Sequence, residues 1–134
     1  MSGFPLKIVT PDGLKFDGIA QSLTVRTTTG DMGFLAGHRD CIAPLGMGRA
    51  TVVVDGEKRY AACIGGMVSM VGGKATLVPT TFEWSEDIDI SRAERSLERA
   101  EKILQEKSTS QTDIRLAEAR LRRALVRKSV AQSK

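Results

Sequence analysis

Polar and apolar residues alternate through the first part of the chain. From Ser22 to Thr27, Leu23 and Val25 fall on one side and Ser22, Thr24 and Arg26 on the other. A period of two marks a half-buried strand. Arg49 to Val54, then Asp55-Gly56, then Glu57 to Ile64 describes a hairpin. Asp-Gly readily takes the positive φ angles that a two-residue type I′ turn requires. The arrangement recurs at Met67 to Val71, Gly72-Gly73 and Lys74 to Val78. Leu6 to Thr10, closed by Pro11-Asp12-Gly13, adds a further strand and turn. Short strands in succession, with no helical run between them, predict an antiparallel sandwich or barrel. Parallel α/β is excluded, since it needs crossover helices.

The period then changes. Ile90, Ala93, Leu97, Ala100 and Leu104 recur at spacings of 3, 4, 3 and 4, one narrow apolar stripe on a helix. Ser91 to Glu94 fits a capping box, and Asp89 offers a second N-cap. Ser108 to Asp113 interrupts with residues that favour turns and caps. A second stripe follows at Ile114, Ala117, Leu121 and Ala124, with Leu125 beside it. Each helix is roughly 17 residues and about 25 Å long. Their short polar connection predicts an antiparallel hairpin. Its large apolar side chains are few and its alanines add little buried area. The hairpin is therefore expected to be marginally stable and able to undock.

Composition divides the chain at the same place. All 13 Gly, all 4 Pro and every aromatic residue lie at or before Trp84. Two parts follow: a β domain over 1–84 and a helix-turn-helix over 85–134. Residues 1–90 carry 8 basic and 10 acidic side chains, whereas residues 91–134 carry 12 and 6, so the net +4 belongs to the hairpin. At 41% hydrophobic and 27% charged, wholesale disorder is excluded. The longest uncharged stretch, Tyr60 to Gly73, is too short and too Gly-rich to span a membrane. The first residues lack a basic segment followed by an apolar one, so no secretory signal is expected. Cys41 and Cys63 are then two free thiols in a reducing compartment.

Familiar catalytic patterns are missing. Gly72 to Thr76 lacks the spacing of a phosphate loop, and no Gly-x-Ser-x-Gly is present. His38 is the single histidine, with Cys41 nearby and Cys63 distant in sequence, which is too little for a metal site. The reading is no catalytic residue, no metal and no enzyme. The positive signal lies in helix two, where Arg115, Arg120, Arg122, Arg123, Arg127 and Lys128 face only Asp113 and Glu118. This is either a solvated basic face or an arm that meets an acidic protein, phosphate or nucleic acid. Arg92 and Arg99 share a face of helix one, and Arg123 and Arg127 share one of helix two. A closed hairpin would gather them into a cluster suited to a polyphosphate.

These residues also carry a resemblance. Ile8 to Gly13, Thr29 to His38, the pair Gly65-Gly66, and Ile88 to Ala93 stand in an order and spacing that resemble the epsilon subunit of the bacterial rotary F-type ATP synthase. The segment Gly30-x-x-Gly33-x-x-x-Gly37-His38 is the most specific part, and the ending from Leu121 to Ala131 is most similar to Gram-positive members. Ala36, Arg39-Asp40 and Phe34 depart from the usual pattern around the histidine.

The resemblance implies an all-β sandwich of about ten strands followed by a C-terminal antiparallel α-helical hairpin. It implies a non-catalytic, regulatory subunit of the central stalk, coupling gamma to the c-ring and meeting the alpha and beta subunits of the catalytic hexamer. Asp31 and His38 match the c-ring contact loop. The hairpin would permit ATP hydrolysis when folded on the sandwich. Extended into the hexamer, it would block rotation through the basic helix, Arg115, Arg120, Arg122, Arg123, Arg127 and Lys128. ATP, with or without Mg²⁺, would be a regulatory ligand of the closed hairpin and no cofactor would be required. The matching positions are Glu83, Ile88, Asp89, Arg92, Ala93, Arg99, Arg123 and Arg127. The expected location is peripheral, at the cytoplasmic face of the bacterial cell membrane and attached only through the complex. The rival reading is a nucleic-acid-binding module that uses the basic helix on a small β domain. An acidic β part with few aromatics for base stacking speaks against it.

Overall fold

The computed structural model describes residues 2–106 and 110–132. Ten strands come first: β1 (Phe4–Thr10), β2 (Gly13–Ala20), β3 (Ser22–Thr27), β4 (Gly30–Leu35) and β5 (Cys41–Pro44), then β6 (Met47–Val54), β7 (Glu57–Ile64), β8 (Met67–Val71), β9 (Lys74–Val78) and β10 (Thr81–Trp84). A single 3-10 turn, Ser85–Asp87, leads to helices α1 (Ile90–Gln105) and α2 (Gln111–Ala131). The strands form two five-stranded sheets, ordered β2-β1-β9-β8-β5 and β10-β7-β6-β3-β4. Of the sandwich or barrel that the pattern allows, the chain forms the sandwich, followed by the expected helical hairpin.

The two expected hairpin turns have the required geometry. Asp55 and Gly56 sit at φ of 52° and 79°, and Gly72 and Gly73 at 58° and 79°. Alternation decides which side chains fill the core. Phe4, Leu6 and Ile8 of β1, Leu23 and Val25 of β3, and Phe82 and Trp84 of β10 all point between the sheets. Every fully enclosed member of this core lies at or before Trp84. One pairing departs from the antiparallel expectation: β1 runs parallel to β9, with Leu6 opposite Ala75 and Ile8 opposite Leu77. The chain leaves the first sheet for the second between them, and that passage replaces the helical crossover that a parallel pair otherwise needs.

Strand β7 breaks the period. Ala61 and Cys63 face the sandwich core, yet Ala62 and Ile64 on the opposite face are also buried. The helical hairpin covers that outer face, its packing on the sandwich running through α2 against β6 and β7. A strand covered on both sides reads as a continuous apolar run, as Tyr60 to Ile64 does.

The helices differ in detail from their stripes. Asp89 is the N-cap of α1, its carboxylate accepting from the Arg92 amide at 3.1 Å, so Ser91 lies inside the helix. Ser110 caps α2 by accepting from the Asp113 amide at 3.2 Å. Gln111 to Asp113 therefore form the first turn of α2, while the expected turn residues Ser108 and Thr109 lie outside the described residues. The helices have 16 and 21 residues. Ala93 and Ala100 of α1 and Ala117 and Ala124 of α2 are the buried members of the stripes. Ile90 and Leu125, assigned to the apolar faces, are exposed at 41% and 49%. Small alanines bring the helices too close together for the larger side chains at the stripe margins to fit between them.

Candidate functional site

Where the hairpin lies over the second sheet, it leaves a cleft of about 530 Å³. Strand β10 contributes Thr81 and Glu83, and β7 contributes Ile64. From α1 come Ser96, Arg99, Ala100 and Ile103, at helical spacing along one face. From α2 come Arg120, Arg123, Ala124 and Arg127, again one face. The result is an apolar floor of Ile64, Ala100, Ile103 and Ala124 beneath four guanidinium groups and one carboxylate. The volume falls within the range typical of small-molecule sites.

Arg127 and Glu83 tie the two domains together across this cleft. Arg127 Nη2 donates to Glu83 Oε2 at 3.0 Å, and Nε lies 2.7 Å from Oε1 with its N–H directed off the hydrogen-bond axis. Both side chains are about three-quarters enclosed or more. Arg99 Nε donates to the Arg95 carbonyl at 3.4 Å, which orients it along α1. Among the described residues, Arg99, Arg120 and Arg123 form no ion pair. Like charges so gathered repel unless an anion joins them.

The expected ligand residues therefore separate into two groups. Glu83, Arg99, Arg123 and Arg127 line one cleft. Ile88, Asp89, Arg92 and Ala93 do not line it. Asp89 serves as the helix cap, Ile88 packs with Ala62 and Val130, and Ala93 is buried. Arg92 is exposed, one turn before Ser96 on the cleft-facing side of α1. Arg120, placed by sequence reasoning only in the basic helix, belongs to the cleft as well. Its spacing of seven from Arg127 was the signal available. Arg115 and Arg122 face solvent and Lys128 is half-buried.

The linker is fixed from the sandwich side. Arg59 of β7 stacks on the Trp84 ring at 3.7 Å and donates to Glu86 at 3.0 Å. A hydrogen bond from its own backbone amide, then the Arg59 and Ser85 contacts, hold the Glu86 carboxyl below the usual carboxylate range despite some opposing desolvation. Trp84 Nε1 donates to the Lys15 carbonyl at 3.3 Å.

The loop after β4 is separate from the cleft. The His38 ring packs on Phe34, with centroids 4.9 Å apart, and Nδ1 lies 2.7 Å from the Arg39 carbonyl oxygen. Asp31 pairs with Arg26 at 3.3 Å, and both are exposed. Asp40 accepts from the Gly72 amide at 2.9 Å, fastening the loop to the β8–β9 turn. Leu35 and Ile42, on either side of this loop, are exposed at 63% and 67%. Across the outer face of the first sheet, Pro44, Met67 and Val78 stand opposite one another as a second exposed apolar row.

Among the described residues no three His, Cys, Asp or Glu side chains are grouped to hold a metal ion. No helix among them is long and apolar enough to cross a membrane. Cys41 and Cys63 are both free thiols.

A ten-stranded sandwich with an arginine-lined helical hairpin docked on its second sheet defines a narrow class. Residues 3–85 match the family described as ATP synthase, Delta/Epsilon chain, beta-sandwich domain, and residues 86–132 match its long alpha-helix domain. The ATP synthase epsilon chain of Ruminococcus albus is 40% identical over 135 residues, covering 100% of both chains. That of Bacillus mycoides is 36% identical over 134 residues, again covering 100% of both. A chain in the Euglena gracilis mitochondrial ATP synthase structure, comprising OSCP, F1 and c-ring, superposes with a TM-score of 0.84 at 23% identity, over 96% of this chain and 81% of that one. The chain belongs to the ATP synthase delta/epsilon family, as an epsilon chain.

Proposed function

We propose that this chain is a non-catalytic regulator of its ATP synthase, and that ATP acts as an effector bound in the cleft between hairpin and sandwich. The observation that carries the ligand is the cleft itself, with three arginines that form no ion pair among the described residues above an apolar floor. Guanidinium forks suit phosphate oxygens. The floor of Ile64, Ala100, Ile103 and Ala124 suits an adenine ring, and Glu83 or Thr81 can accept from its amino group or from a ribose hydroxyl. Mg²⁺ would arrive on the phosphates, without a carboxylate cage of its own.

A ligand that touches β10, α1 and α2 together binds only the docked arrangement. It therefore shifts the hairpin toward that state by mass action. The same arginines explain the other position. Arg120, Arg123 and Arg127 line the cleft while the hairpin is docked, and become free for an acidic surface of the catalytic hexamer when it extends. One set of charges would serve two alternative partners, and only one at a time.

The sandwich is the fixed part. Its exposed apolar residues Leu35 and Ile42, with the loop that holds His38 and the Arg26–Asp31 pair, offer the surface for gamma and the c-ring. Association with the cytoplasmic face of the membrane is then peripheral, through these subunits.

Isothermal titration of the full chain with ATP and Mg²⁺ tests the ligand. Arg99→Ala and Arg123→Ala should each weaken binding by about tenfold or more, the loss of one charge-assisted contact. Asp89→Ala and Arg92→Ala separate the helix-start motif from the cleft. Equal heats for the wild type and all four variants would remove the site. Co-purification with gamma and the catalytic hexamer tests the assembly, and persistent failure to recover them would remove that part.

A further inference from the structure

The hairpin is joined to the sandwich through α1, yet α1 is not what holds it there. Its principal packing partner is α2. It is α2, the distal helix, that packs on β6, β7 and the 3-10 turn. The fully buried residues of the two helical stripes are alanines; Leu97, Ile103, Leu104, Ile114 and Leu121 are half-buried, and Ile90, Leu116 and Leu125 face solvent. Along most of its length the hairpin is therefore held by aliphatic side chains that stay partly open to solvent.

The exception lies at the far end. Val130, the penultimate residue of α2, is only 1% exposed. It shares a closed apolar cluster with Ala62 of β7 and Ile88 of the linker, bordered by Tyr60, Val126 and Ala131. This cluster is distinct from the sandwich core, whose members all precede Ser85. Ile88 is the C-cap of the 3-10 turn and directly precedes the α1 cap residue Asp89. The end of the arm is thus seated against its own pivot, and the contact closes the whole hairpin into a loop on β7. Arg127, one turn before Val130 on the same face, adds the ion pair with Glu83 beside it.

We propose that Val130 is a latch: its seat between Ala62 and Ile88 holds the entire hairpin on the sandwich, and vacating that seat releases α1 together with α2. The device is a property of the unliganded chain and does not depend on nucleotide. Its physical basis is cooperative. Most helical stability in a protein comes from tertiary packing of one face, so alanine-faced helices keep little of it once undocked. Losing the fully enclosed anchor at the end of the arm therefore propagates to both.

Native-state hydrogen exchange of the full chain without nucleotide tests this, with three variants. Val130→Asp should lower protection of central amides in both α1 and α2 by about tenfold or more, while β1, β6 and β9 keep theirs. Val130→Ile should retain wild-type protection. Leu125→Asp places the same charge on the same helix at an exposed position and should also leave both helices protected. Fraying confined to the last turn of α2 in Val130→Asp, with α1 unchanged, would overturn the latch. So would an equal loss in Leu125→Asp, since any charge on α2 would then suffice. Loss of protection in the sandwich strands would overturn it too, because Val130 would then support the β domain itself.

Discussion

Arg127 grips Glu83 with two nitrogen–oxygen approaches, 2.7 Å and 3.0 Å, across 44 residues of sequence. One partner ends the sandwich on β10 and the other approaches the end of the chain on α2. The pair is partly enclosed, with side chains 19% and 27% exposed. Its solvent screening is reduced but not abolished. Neutralising either partner leaves the other charge half-buried and unmatched.

Glu83→Gln and Arg127→Gln should therefore each loosen the docked hairpin by about 1–2 kcal/mol, and the double variant should cost less than the sum. Native-state hydrogen exchange of α2 measures all three. Strict additivity would show that the two side chains are adjacent without being coupled.

Cys63 and Cys41 should differ in reactivity. Burial pushes the Cys63 thiol up to about 12, from an ordinary value near 9.0. Cys41 is half-buried at the sandwich edge. At about pH 8 a thiol reagent should label Cys41 readily, and Cys63 only as the chain unfolds. The raised value also has a stability consequence. Below the unfolded value near 9.0 the contribution is fully present, and it is lost as pH rises from there toward 12. Cys63→Ala should accordingly flatten the alkaline limb of a melting-temperature profile. Simultaneous labelling of both thiols in the native chain would contradict this.

The sandwich was legible because each of its rules is local. Leu23 and Val25 state the period, and Asp55-Gly56 states the turn, within a few residues. Partners brought together from afar carry no such mark. Nothing near Leu6 announces a parallel neighbour at Ala75, and nothing near Val130 announces a socket made by Ala62 and Ile88. The helical stripes were found but misjudged at Ile90 and Leu125. A 3.6-residue period finds the apolar side, whereas the alanines decide how closely the helices approach and which large side chains are left outside. Arg99, Arg123 and Arg127 were legible because arginines at helical spacing are visible in sequence, whereas Glu83 entered only through the family resemblance and Arg120 only as part of the basic helix. Their common cleft depends on docking, which the sequence does not state.

Glu86 should make the linker sensitive to acid. Its carboxyl is held below the ordinary range by its own backbone amide first, and by Arg59 and Ser85 after that. A depressed carboxyl contributes stability above its unfolded value, and that contribution is lost as pH falls through the lower native value. Glu86→Gln should thus lower the melting temperature modestly near neutrality, with the gap to wild type closing as pH falls through the lowered native value. A gap that stayed constant through that fall would mean the substitution acts through shape and not through charge.

Gly66 and Gly73 both have positive φ, at 89° and 79°, but only one is also confined. A Cβ on Gly73 would meet nothing within 4 Å. On Gly66 it would lie 2.0 Å from the Val78 carbonyl oxygen and 2.7 Å from the Pro79 Cα, both backbone atoms that cannot swing aside. Gly73→Ala should cost about 1–2 kcal/mol, the left-handed backbone penalty alone. Gly66→Ala must in addition push the β9–β10 connection away, and should cost about 4 kcal/mol or more. That connection leads directly into β10 and its Glu83, so a displaced Val78 and Pro79 would also shift the carboxylate that Arg127 holds. Gly66→Ala should therefore weaken hairpin docking as well as lower the melting temperature, whereas Gly73→Ala should do only the second. Melting curves paired with hydrogen exchange of α2 measure both effects. Equal destabilisation by the two alanines would show that backbone conformation, and not the close approach to Val78, sets the requirement for glycine.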